Sequence, residues 1–247
     1  MSTRDLLSSE PALELLRLPD TPFELALPGE LAALAADPDR YADACVELLE
    51  AARGGERPPT AGFRAAHLIA LLGQWRHEPA LPVLVDWLGT PWGFGGMEVV
   101  HALTRIGGPA VEPTLYTLFD PVRRPLERQR AARALASIGV AALDFDADPR
   151  WGGSASARYG EVVAALRVIV ERGASEPREV LTEATEGLCH LRHAASWPQI
   201  ERLFLSGAVA DADTFGVRMA RALIKGAAVD LRFGGFGAPM IAGAAGG

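Results

Sequence analysis

The sequence predicts an all-α protein, an α-solenoid of about five tandem antiparallel helix pairs behind an N-terminal helical cap. Three observations predict this class. A ten-residue pattern recurs as "RAAHLIALLG" (64–73), "EVVHALTRIG" (98–107) and "RAARALASIG" (130–139). Within "RQRAARALASIGV", Ala131, Ala134, Leu135 and Ile138 fall three and four apart, one stripe of a 3.6-residue period. Strand signals are missing: there are no Asn-Gly hairpins and no sustained period-two alternation.

The elements follow in chain order. Residues 1–36 carry two short helical patterns divided by "LPDTPF", read as a cap over the first pair, because a repeat stack otherwise exposes an interface at its end. The repeat region covers 37–228. The first helices of the pairs are placed at 41–53, 77–89, 109–119, 157–172 and 197–206. The second helices are the three strong copies, a weaker "EATEGLCHLR" (183–192) and a drifted "RMARALIKGA" (218–227). Gly73, Gly107 and Gly139 close the strong copies 34 and 32 residues apart, and each is expected to end its helix in a left-handed cap that a Cβ would disfavour. Pro82 and Pro113 lie about four residues into their helices, which are expected to start late or kink. Ala65, Ala66, Ala131, Ala132 and Ala134 let helices approach closely. An insert, 140–158, separates the third and fourth pairs, and a Gly-rich tail, 229–247, ends the chain.

Composition removes several function classes. Of 247 residues, 49% are apolar and 22% charged, a globular rather than disordered balance. No apolar run reaches the roughly 18–20 residues that span a bilayer, and "MSTRDLLSSEPALELL" does not read as a signal peptide. The Ala, Gly and Arg richness matches a GC-rich bacterial source, so the expected location is cytoplasmic, without a membrane. The net charge of −7 argues against nucleic acid as a partner. Cys45 and Cys189, in helical apolar settings, read as reduced core residues.

No motif completes a metal or cofactor site. His67 and His101 hold equivalent repeat positions, and His190 and His193 share one helix face, but neither pair gains an Asp or Cys at tetrahedral spacing. The insert's Asp144, Asp146 and Asp148 open like a calcium loop. Pro149 then stands where the loop needs Gly, and Ala155 where it needs a bidentate Glu. "GFGG" at 93–96 follows a helix and lacks the Lys-Ser/Thr of a phosphate loop. No cofactor is therefore expected.

The copies resemble HEAT repeats, and more closely the short HEAT-like repeats of phycobilisome lyases. Those share a helix R-x-A-A-x-A-L-x-x-I-G followed by a turn and a Pro-containing helix ending in Leu-Leu. The match is best from Arg130 to Gly139, then from Arg64 to Leu84, and covers roughly 41–228. The resemblance implies that the second helix of each pair lines a concave face. The first position of each copy then forms a column of alternating sign, Arg64, Glu98, Arg130, Glu183 and Arg218. Three residues on, the column reads His67, His101, Arg133, Glu186 and Arg221. The first column is expected to act as a structural charge ladder between neighbouring repeats.

Function is expected to be non-enzymatic: a scaffold or adaptor presenting its concave helical surface to another protein. Five arginines, Arg123, Arg124, Arg128, Arg130 and Arg133, fall within 11 residues of an acidic chain. Arg at a helix N-terminus opposes the macrodipole, so the cluster points to a partner with an acidic surface. The partner site is expected at Arg130, Arg133 and Trp151, with His101 in the preceding repeat. The resemblance also implies two alternatives. One is a phycobilin-lyase-like chromophore chaperone. The other is a HEAT-like DNA glycosylase, which would need a basic concave face that the charge column does not provide.

Overall fold

The structure is a computed structural model that describes residues 9–18, 28–53, 63–90, 95–144 and 155–209. All regular structure among these residues is helical. They divide into two compact units after Ile106, at the end of the second repeat copy. No described helix is long and apolar enough to cross a membrane.

In the first unit, α1 (Glu10–Leu15) starts with Ser9 accepting a hydrogen bond from the Ala12 amide at 3.3 Å, an N-cap that satisfies one orphan donor. Helix α2 spans Pro28–Ala35 and α3 Pro38–Arg53. Tyr41, Cys45, Leu48 and Leu49 form the buried stripe of α3, against which α1 packs. Helix α4 (Phe63–Trp75) is buried almost continuously from Ala65 to Leu72. Two indoles tie these elements together: Trp75 Nε1 donates to the Ala35 carbonyl at 2.9 Å, and Trp87 Nε1 to that of Leu49 at 3.3 Å. Trp87 ends α5 (Leu81–Trp87), which packs on α6 (Gly95–Ile106).

The second unit contains α7 (Val111–Phe119), α8 (Pro125–Asp144), α9 (Ala155–Arg172), α10 (Arg178–His190) and α11 (Trp197–Leu205). Helix α8 is its centre and packs on α7, α9 and α10. Its Ala131, Ala132, Ala134, Leu135 and Ile138 have no exposed surface. Small side chains there let three neighbours approach one helix.

The expected helix pairs therefore form as α3–α4, α5–α6, α7–α8 and α9–α10, with α11 beginning a fifth. The partner of α11, including Arg218, and the tail 229–247 lie outside the described residues. The proline helices start late rather than kink. A 3₁₀ turn at Glu78–Ala80 precedes α5 and one at Gly108–Ala110 precedes α7. Pro82 and Pro113 then sit in the first turn, where no intrahelical donor is needed.

The role expected of the closing glycines needs correction. Only Gly107 takes a positive φ, +81°, after α6. Gly73 and Gly139 are internal to α4 and α8. A Cβ on Gly73 would lie 2.6 Å from the Ala102 Cα, and one on Gly139 would lie 2.7 Å from Leu191 Cδ2. These glycines are there because a neighbouring segment occupies the space of a side chain. The left-handed positions after α4 and α10 fall on Arg76 (φ 53°) and Arg192 (φ 55°). Helix α8 also runs through 140–144, so the first part of the expected insert is helix.

Candidate functional site

The second helices of two successive pairs bring the conspicuous polar residues together. Arg130 and Arg133 lie one turn apart on α8, and Glu183, Glu186 and His190 recur three and four apart along α10. The Arg133 guanidinium grips Glu183 with both arms: Nε donates to Oε1 and Nη2 to Oε2, each at 2.7 Å. Gln129 Nε2 adds a donor to Glu183 Oε2 at 3.4 Å. The hydrogen bond to Glu183 raises the Arg133 pKa. The Glu183 side chain is only 8% exposed, so this planar fork supplies what the carboxylate loses in leaving water.

Its neighbours remain under electrostatic stress. Burial, then the Glu183 charge, raises the Glu186 carboxyl, and burial lowers the His190 imidazole. Burial also lowers the Arg130 guanidinium, and the like charges of Arg133 and Arg124 lower it further. The face thus has a concentrated positive end on α8 and a concentrated negative end on α10. The ion pair joins Arg133, from the second repeat column, to Glu183, from the first.

The rest of the arginine cluster has acids within the chain. Arg124 Nε donates to Glu127 Oε1 at 2.7 Å, and Arg123 lies 3.4 Å from Glu127 Oε2 and 3.8 Å from Asp120. Arg128 is buried; it bonds the Leu118 carbonyl at 2.7 Å and Glu176 Oε2 at 2.5 Å. Arg172 completes that pair from 2.9 Å. Burial alone would raise Glu176, but the hydrogen bonds from Arg172 and Arg128 outweigh it and hold the carboxyl below its ordinary value. Arg123, Arg124 and Arg128 therefore do not need an external acid to explain them.

The other expected residues lie elsewhere. His101 is half-buried on α6 in the first unit, and burial, then Arg105, lowers its pKa. Glu98 is one turn earlier on α6. Burial raises its carboxyl, and Oε2 is buried without a hydrogen-bond partner among the described residues. Glu98 makes no ion pair among those residues, and Arg64 Nε donates to the Leu18 carbonyl at 2.8 Å. Trp151 lies outside the described residues. His193 Nδ1 meets Ser196 Oγ at 2.8 Å. Burial raises both thiols, Cys45 strongly and Cys189 to about 12. No three metal-ligating side chains gather among the described residues.

One surface was missed in the sequence. Val111, Thr114 and Leu118 bury one stripe of α7, while Leu115, Tyr116 and Phe119 form a second stripe facing outward. With Glu112 and Asp120 they line a shallow depression of about 630 Å³. Tyr116 is 69% exposed, and its hydroxyl donates to Glu112 Oε1 at 3.3 Å. The available signal is the segment "VEPTLYTLF", which has more apolar and aromatic positions than one buried stripe can absorb.

No family model matches the sequence, and no curated protein matches it significantly. Among solved structures it is similar to a designed armadillo repeat protein at 17% identity. The match covers 90% of this chain and 97% of that chain, with a TM-score of 0.45. On its own geometry, with helix pairs recurring through both units, the chain is an all-α helical-repeat protein.

Proposed function

We propose that the chain is a non-enzymatic interaction module that binds another protein through the α8–α10 face. The observation that carries this reading is the pairing of Arg130 and Arg133 on one turn of α8 beside a part-buried acidic run on α10. Charges fixed in a partly desolvated surface act on a partner more strongly than charges in bulk water, and they favour one docking register. The α8 end suits a partner carboxylate. Arg130, with Arg133 fixed by Glu183, is the centre. The HEAT-like assignment is part of this reading, supported by the recurring helix pairs α3–α4, α5–α6, α7–α8 and α9–α10, although α8 runs past Gly139 where the repeat motif turns. The non-enzymatic reading rests on the missing nucleophile, phosphate-loop and metal-ligand motifs in the sequence.

The test is affinity capture from the native cell, then calorimetric titration of the identified partner against wild type and Arg130→Glu. Charge reversal should weaken binding by more than about tenfold at low salt, with a smaller effect as salt rises. Undiminished affinity would place the site elsewhere. Arg133→Ala is the poorer probe, because it would also strip Glu183 of its partner.

A further inference from the structure

Among the described residues two tyrosine–glutamate pairs stand in contrast, one buried between helices at Tyr41 and one exposed along a single helix at Tyr116. In the first unit, the Tyr41 hydroxyl donates to Glu14 Oε2. Arg40 closes that pair into a triad: its guanidinium carbon is 5.2 Å from the Tyr41 ring centroid, and Nη2 donates to Glu14 Oε1 at 3.1 Å. The cation therefore touches the π face and the carboxylate together, two attractions that reinforce each other. A related arrangement stands on α9, where Arg172 lies 5.5 Å from the Phe119 ring centroid and bonds Glu176 at 2.9 Å.

Tyr116 and Glu112 on α7 form the same pair without the cation. Their hydroxyl–carboxylate bond is 3.3 Å, and no guanidinium or ammonium lies over Tyr116 among the described residues. The Tyr116 ring is open to solvent, and the depression beside it offers half-buried Leu115 and the part of Phe119 not faced by Arg172 for an apolar neighbour. Among the described residues the lining has two carboxylates and no basic side chain; Asp120 also has Arg123 at 3.8 Å, so Glu112 is the principal acid.

We infer that this α7 depression is a docking site for an arginine of a partner protein, its guanidinium over Tyr116 and against Glu112, with an adjacent apolar side chain on Leu115 and Phe119. Guanidinium suits the site better than ammonium because it is planar, stacks on rings and is more weakly hydrated. The inference rests on other residues than the α8–α10 face and stands or falls without it.

The experiment is an amide-shift NMR titration of the full chain with the peptide acetyl-Ala-Leu-Arg-Leu-Ala-amide and its lysine and citrulline analogues. The expected result is saturable shifts centred on 112–120 for the arginine peptide, weaker binding of the lysine peptide and no saturation with citrulline. Tyr116→Ala and Glu112→Gln, exposed changes whose folding is checked by circular dichroism, should each weaken the arginine peptide about three- to tenfold. Equal binding of the arginine and citrulline peptides, shifts confined to other helices, or unchanged affinity in both variants would overturn the assignment. So would a concentration-dependent dimer abolished by Tyr116→Ala, because the occupant would then be a second copy of this chain.

Discussion

The α4–α6 crossing of the first unit and the α8–α10 crossing of the second each join the second helices of two successive pairs and differ in their polar flanks. Both bring helices together at a glycine. Gly73 faces the Ala102 backbone, and Gly187 faces Ala136 Cβ and Leu166 Cδ1. In the second unit Arg133 and Glu183 clamp the two helices with a bidentate pair. In the first, Glu98 is half-buried, raised in pKa and outside any ion pair among the described residues. Close packing at small residues is thus the common device, while the charged flank sets how each crossing responds to substitution and pH.

The largest expected effect is at the clamp. Arg133→Ala leaves the Glu183 carboxylate buried with only Gln129, and should cost about 2–3 kcal/mol, below the 3–5 of a fully buried pair because Arg133 is 36% exposed. Adding Glu183→Ala should recover part of that loss, and a double-mutant cycle from urea unfolding measures it. Strictly additive losses would reduce the clamp to two independent side chains.

Next come the glycines. Gly73→Ala should cost about 1–3 kcal/mol, because the new methyl meets backbone, which cannot rotate away. Gly187→Ala should cost less: its methyl would meet a methyl and the end of a leucine, at 2.9 and 3.0 Å, and the gain in helix propensity of up to about 1 kcal/mol offsets part of the clash. Unfolding midpoints in the reverse order would mean that side-chain adjustment, not backbone approach, limits these crossings.

The smallest effect is a pH dependence. A carboxyl raised by folding binds its proton more tightly in the native state. Its stabilising contribution is therefore present below the ordinary carboxylate value and lost as pH rises to the raised one. Glu98→Gln should flatten that fall and stabilise the first unit at neutral pH, read by hydrogen exchange on α6. Glu176 has the opposite sign: its lowered pKa gives stability above the ordinary value that disappears as pH falls through the lowered one. No change on Glu98→Gln at any pH would remove desolvation as the cause.

The sequence alone determined the helix pairs and their order, because a 3.6-residue apolar stripe and proline in a first turn act within a few residues of chain. It also singled out Ala131, Ala132 and Ala134 as close-packing positions, and these are fully buried. Contacts between distant residues were decided only by tertiary structure. Gly73 and Gly139 look like helix caps in sequence, yet space taken by Ala102 and Leu191 makes them packing residues. Arg128 looks like part of an exposed basic cluster until Glu176, 48 residues away, is found against it. The open ring of Tyr116 was hidden for the same reason. Its outward direction follows from which face of α7 the rest of the unit covers, and the local pattern, apolar on two sides of one helix, cannot say which side that is.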